Sequence, residues 1–353
     1  MLAHTVSILE RLSLILVVYA LGGSSADGLP IDIQRLSDRV IVLNMPIFNY
    51  ANIVAVSGKR GLAVIDTGMS PLVMSKYKAE IERHFHRTDW AYVINTHAHQ
   101  HHVGGNAVVK SVPVIAHKNI VGEMNHYWVD FMANPEKRSE VAENYRKKAE
   151  ELQARLQTEN PDSQAIQAQI ELWRALADEM ASGFEVVIPT LLFSDELILD
   201  MGDLTLRVLF FGKGHSLSDV IVHIPEEKVV VTGGVCYRFI PKIKDQVRLD
   251  DLKRSMSILD SLLADDTEIR QVVPSHTNLL GRQDLERLRD YYRDLLAGVA
   301  AAREQGVSLE DAQARLSLER RFPYMSGMEA PGRDRNELHK NNVNAVWKLL
   351  SQE

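Results

Sequence analysis

The string "VINTHAHQHHVGGN" places His97, His99, His101 and His102 within six residues. Neutral imidazole suits zinc, which takes about four N, O or S donors. If the segment were a strand, His97, His99 and His101 would point to one side. A loop leaving a strand end splays them around a point instead. The apolar strand before the cluster and Gly104-Gly105 after it argue against a chance polar loop. Two more histidines have the same setting. His215 follows an apolar run and sits among glycines in "FFGKGHSLSDVIV", and His276 ends "IRQVVPSH". Loops at strand ends are where α/β folds place their chemistry. Three such signals in one chain point to a metal site.

The elements that must hold these residues can be read from apolar patterning. "RVIVLN", "ANIVAVS" and "GLAVIDTG" are β-branched runs with polar or glycine breaks. A helix is expected from about Pro71 to His86. "AYVINTHAH" and "VPVIAHK" then read as strands flanking the histidine loop. "ELILDMGDLTLRVLFF", "DVIVHIP" and "KVVVTGG" form a second strand-rich block, "IRQVVPSH" is a late strand, and the remainder reads as helix. Strands mixed with helices in this order predict an α/β fold, sheets inside and helices outside.

One segment breaks the rhythm. Residues 134–182 are charged and helix-favouring, and Asn160-Pro161-Asp162 splits them. Ile166, Ile170, Trp173, Leu176 and Met180 form one helical apolar face, as do Val141, Tyr145, Ala149, Leu152 and Leu156. An antiparallel helix hairpin is expected. Its stripes either pack on each other and the body, or serve as a lid or as the surface of a homodimer.

The histidine string resembles the H-x-H-x-D-H-x-G-G signature of metallo-β-lactamase-fold hydrolases. "GLAVIDTGMS", "GKGHSLSDVIVHIPEEKVVVTGG" and "VVPSHT" follow the family's order, so the resemblance runs from Val40 to Thr277. It implies a four-layer αββα sandwich, here with the inserted hairpin, and metals at one edge between the sheets. It implies His97, His99 and His215 as ligands of a first metal, and His102 and His276 as ligands of a second. Asp66 matches an aspartate that supports the site without binding metal, a role that orients ligands.

Two departures stand out. His101 replaces the signature aspartate, and Gly234 replaces the aspartate of the family's "TGD" element. The second metal would then rest on His101, His102 and His276, and one or two zinc ions per chain are both open. The resemblance implies hydrolysis of a small-molecule substrate by a zinc-activated hydroxide attacking a cyclic or activated carbonyl. A β-lactam leads, ahead of a lactone or thioester, with a metal- or substrate-binding protein lacking turnover as the other class. His101, if not a ligand, would act as general acid. Arg238, after "TGG", is the candidate for holding a substrate carboxylate, ahead of Lys242 and Lys244. Cys236, the single cysteine, reads as a small core residue that could also reach the metal. His117, His126 and His223 read as structural, and His339 as a surface residue of a C-terminal amphipathic helix.

Composition sets the remaining bounds. The chain has 353 residues, is 45% hydrophobic and 25% charged, and carries a net charge of −7. This balance lacks the basic footprint of nucleic-acid binding. Arg11 precedes the apolar run "LSLILVVYALGG", and Ser24 and Ala26 suit a cleavage site. Residues 1–26 are therefore expected to be a signal peptide and residues 27–353 one hydrolase domain. The expected product is periplasmic or secreted, without a stable membrane anchor.

Overall fold

The structure, a computed structural model, describes residues 31–45, 51–158, 163–330 and 332–351. The leader-like residues 1–26 and the hairpin break at 160–162 lie outside these. Among the described residues, no helix is long and apolar enough to cross a membrane.

Two sheets form the centre. The first has seven strands in chain order: β1 (Asp32–Arg35), β2 (Val40–Asn44), β3 (Ile53–Gly58), β4 (Gly61–Ile65), β5 (Trp90–Ile94), β6 (Val114–His117) and β7 (Leu191–Phe193). It is antiparallel from β1 to β4 and parallel from β4 to β7. The second comprises β8 (Glu196–Asp200), β9 (Thr205–Phe210), β10 (Val220–Ile224), β11 (Val229–Gly233) and β12 (Gln271–Pro274), with order β12-β11-β10-β9-β8. Only the β11–β12 pair is parallel in it. The short strands β1 and β7 are not evident from apolar patterning.

Alternation along the strands sets the layers. Val54, Val56, Ala63, Ile65 and Ile94 of the first sheet face Val208, Val220, Val222, Val231 and Val273 of the second. On the first sheet's outer face, Ile53, Ala55, Leu62 and Val64 pack under helix Pro71–Phe85 through Val73, Met74, Tyr77 and Ile81. That helix starts as its sequence dictates, with Ser70 accepting from Val73 N and Pro71 in its first turn. On the second sheet's outer face, Ile221, Val230 and Val272 pack under helices Leu249–Leu262, Arg282–Glu304 and Arg335–Leu349. The result is the expected αββα order.

Two expectations need correction. The run 91–99 is strand only to Ile94; the histidines lie beyond it in a loop and the short helix Gln100–Val103. His339 is 1% exposed, not on the surface. Its Nδ1 accepts from the Tyr291 hydroxyl at 2.9 Å, and its Nε2 donates to the Leu316 carbonyl at 2.6 Å.

The hairpin consists of helices Pro135–Thr158 and Ser163–Ser182. Its second helix is apolar on two faces. Ile166, Ile170 and Trp173 pack on Ala149, Leu152 and Leu156 of the first helix, and Ala177 and Met180 pack on Ala142 and Val141. Ala168, Leu172 and Leu176 join the core over the first sheet, and Glu179 accepts from Leu72 N at 2.8 Å. The apolar stripes of the two helices thus pack on each other and on the body.

Candidate metal centre

Loops from both sheets meet at one edge. Past β4, Asp66 adopts φ 65°, in the left-handed region that non-glycine residues rarely occupy. Its carboxylate accepts from Thr96 N and Thr96 Oγ1, both at 2.8 Å. The histidine loop is fastened behind the site. The His102 carbonyl accepts from Thr67 N at 2.9 Å and Asn95 Nδ2 at 3.2 Å, and Asn106 bonds Asn95 at 2.9 Å. Gly104 and Gly105 are required by close approach. A Cβ at either would lie 2.2 Å from Met69 O or 2.1 Å from Thr67 O.

His215 lies in the turn between β9 and β10, held by two buried acids. Asp219 accepts from Gly214 N (3.0 Å), Ser216 N (2.9 Å) and Ser216 Oγ (2.7 Å). Glu123 accepts from Leu217 N (2.9 Å) and Ser218 Oγ (2.6 Å). The Lys244 ammonium donates to the His215 carbonyl. His276 follows β12, where Asn52 Nδ2 donates to the carbonyls of Pro274 (2.8 Å) and Thr277 (3.0 Å).

The imidazoles converge in two groups. His97 Nε2 and His215 Nε2 lie 3.1 and 3.0 Å from His99 Nδ1. The donor atoms of these three all fall within 4.8 Å of one another, as do those of His97, His101 and His102. His276 Nε2 lies 3.1 Å from His101 Nε2. His97 and His102 are buried at the back; His99, His101, His215 and His276 are half-buried at the opening.

Hydrogen bonds fix which nitrogens face inward. His102 Nδ1 donates to Asp66 Oδ2 at 2.7 Å, leaving a lone pair on Nε2. That Nε2 is buried and has no partner among the described residues. Thr96 Oγ1, which donates to Asp66, accepts from His97 Nδ1 at 2.9 Å, so the His97 lone pair is also on Nε2. Burial pushes His97, His101, His102 and His215 well below the usual imidazole range, reinforced by neighbouring histidines. His99 is lowered to about 4, by burial and then by Lys244 and His276. These five imidazoles are thereby held in the neutral form that metal ligands require. Burial raises the Asp66 carboxyl to about 8 against the Thr96 hydrogen bonds. A cation on His102 Nε2 would draw it back to the carboxylate form.

The residues fit a metal. Tetrahedral zinc, with Zn–N near 2.0–2.1 Å, spaces its donors about 3.3 Å apart. Nitrogens 3.0–3.1 Å apart and an orphaned buried Nε2 match that chemistry. His97 belongs to both compact groups, but its single inward lone pair serves one ion. With His97 on the first ion, a second would use His101, His102 and His276.

The remaining sequence candidates fall elsewhere. Cys236 is buried in the core beneath the helices of the second sheet, outside both groups. Arg238 is exposed, its Nε 3.6 Å from Asp284 Oδ1. Lys244 is the cation that the fold brings beside the first group. His117 stacks on Phe210 at 3.5 Å between ring centroids. His223 is buried in β10, with neither ring nitrogen partnered among the described residues. Gly234 lies against the first group: a Cβ there would sit 2.4 Å from His215 Cδ2. Met45, Ala51, Gly68, Met69 and Tyr77 line a largely apolar recess ending on His101. Glu123 and Asn52 carry no motif that sequence reasoning could use. Asp219 lies only four residues past His215, and that proximity is the signal that could have found it.

With this architecture in place, comparison gives the family. The chain belongs to the metallo-beta-lactamase superfamily, whose pattern it matches over residues 47–276. Members are mostly hydrolases. Three solved structures share the fold. A metallo-beta-lactamase from Pontibacter korlensis aligns with TM-score 0.51 and 16% identity, over 75% of this chain and all of that one. The sec-alkylsulfatase Pisa1 from Pseudomonas sp. aligns with TM-score 0.56 and 16% identity over 90% of this chain, which spans 50% of the sulfatase. A metallo-beta-lactamase family protein from Thermus thermophilus aligns with TM-score 0.50 and 17% identity, over 90% of this chain and 95% of that one. No curated protein matches.

Proposed function

We propose that this protein is an exported zinc hydrolase that cleaves a cyclic or activated carbonyl bond, with a β-lactam as the favoured substrate. The observation that carries the hydrolase reading is the convergence of six imidazoles from both sheets at one half-open edge. The β-lactam preference rests on the leader-like N-terminus and on glycine at 234, which offers no carboxylate between the two groups. The alternative substrates are a lactone or a thioester.

When bound, the metal would lower the pKa of water and polarise a carbonyl oxygen. The protein's own part is positional. Asp66 and Thr96 hold the Nδ1 protons of His102 and His97, aiming both Nε2 lone pairs inward. Asp219, Glu123 and Lys244 fix the His215 turn. The recess beside His101 accommodates an apolar substituent of the substrate. If only the first group is loaded, His101 Nε2 is free to pass a proton to the leaving group.

A substrate panel tests this. Zinc-loaded protein should turn over a β-lactam faster than a lactone, a thioester or a secondary alkyl sulfate. The His101 replacement favours one competing reading, a binding protein without turnover. Failure to hydrolyse any member of the panel would support it.

A further inference from the structure

The two histidine groups differ in electrostatic support, and the difference starts at position 101. Among the described residues, the carboxylates nearest the site, those of Asp66, Asp219 and Glu123, are already committed. Both Asp66 oxygens are used: Oδ1 by Thr96 N, and Oδ2 by Thr96 Oγ1 and His102 Nδ1. Asp219 and Glu123 face the backbone and serines of the His215 turn. Position 234 has no side chain, and the His215 ring fills the place where one would start. The inward donor atoms are therefore all imidazole nitrogens, and Lys244 adds a positive charge beside them.

A first dication on His97, His99 and His215 is tolerable in such a site. A second, on His101, His102 and His276, meets a neighbouring dication with no protein anion among its ligands. Repulsion between two dications is fourfold that between single charges at equal distance, and partial burial weakens screening. Repulsion of this kind is relieved by an anion entering with the second metal. The opening for it exists: His101 and His276 are half-buried at the mouth.

We infer that loading of the second ion is coupled to an anion, a carboxylate or similar oxyanion entering from the open edge. Anion and second metal each raise the other's affinity, as linkage requires. This rests on the hydrolase reading but is tested apart from it.

The experiment is equilibrium dialysis of the full chain against buffered free zinc with perchlorate as counter-ion, read as zinc per chain by elemental analysis. Acetate is the probe and acetamide its uncharged control. The first ion should load alike in all conditions. Acetate, but not acetamide, should lower the free zinc needed for the second ion by about tenfold, within the usual range of coupling. His101→Asp should load its second ion without acetate. A second ion that loads equally with and without acetate in the unmodified protein overturns the inference and leaves the hydrolase reading standing. A single ion at every zinc and acetate concentration has the same effect. No zinc under any condition overturns both.

Discussion

His102 Nδ1 lies 2.7 Å from Asp66 Oδ2, and both side chains are buried where β4 and β5 end. The aspartate does not itself face the metal groups. It sets which nitrogen of His102 does. Asp66→Asn leaves the shape but presents an amide to three donors, one more than its single oxygen can serve well. Second-ion affinity should fall about 10- to 100-fold, while circular dichroism stays unchanged. Zinc competition with a colorimetric chelator measures this.

The two groups should separate by mutation. After mild dialysis the unmodified protein should retain between one and two zinc ions. His97→Ala should remove the first ion, and His276→Ala only the second. Unchanged metal content in His97→Ala would refute the assignment.

Gly234→Ala probes steric room rather than charge. The added methyl would begin 2.4 Å from His215 Cδ2, so the ring must leave its place. First-ion affinity should drop at least as far as in His215→Ala, although no ligand has been removed. Competition against the same chelator ranks the two variants.

Acid should act in a defined direction. Burial holds His117 and His223 down to about 4, against about 6.5 in an unfolded chain. Between these values the unfolded chain binds protons that the folded one does not, so stability falls as pH drops from about 6.5 to 4. Among the described residues His223 has no hydrogen-bond partner to lose. His223→Leu should therefore show a smaller fall in Tm between pH 7 and pH 5 than the unmodified protein. Differential scanning calorimetry of metal-free samples reads the difference.

Leu172 is 2% exposed between the hairpin and the first sheet. Leu172→Ala should cost about 2–5 kcal/mol in urea denaturation while zinc content at saturation holds. A neutral result would return the hairpin to the role of a detachable lid. Removing residues 134–182 should yield insoluble protein, because it uncovers the core under Ala168 and Leu176.

What the sequence revealed, and what it hid, follows from distance along the chain. Four histidines in six residues announce themselves by type, and His215 and His276 are marked by the strands before them. Glu123 reaches Leu217 across 94 residues, and no local pattern encodes that meeting. His339 sits among polar neighbours in "ELHKNN", and Tyr291 and the Leu316 carbonyl, 48 and 23 residues earlier, make its burial tolerable. The second face of helix Ser163–Ser182 was masked because Ala168 contributes little to an apolar stripe. Arg238 stood closest to the "TGG" element in sequence, whereas the fold brings Lys244 to the site.

The six donor histidines come from loops of both sheets, so bound metal would tie the sheets together across the open edge. Folding and metal supply then become one equilibrium. At a free zinc concentration about 1,000 times the dissociation constant, binding alone would add about 4 kcal/mol to stability. The melting temperature becomes a readout of zinc activity, and a chelator acts as a denaturant. A chain emerging where zinc is scarce would be exposed to proteolysis before it could ever be inactive.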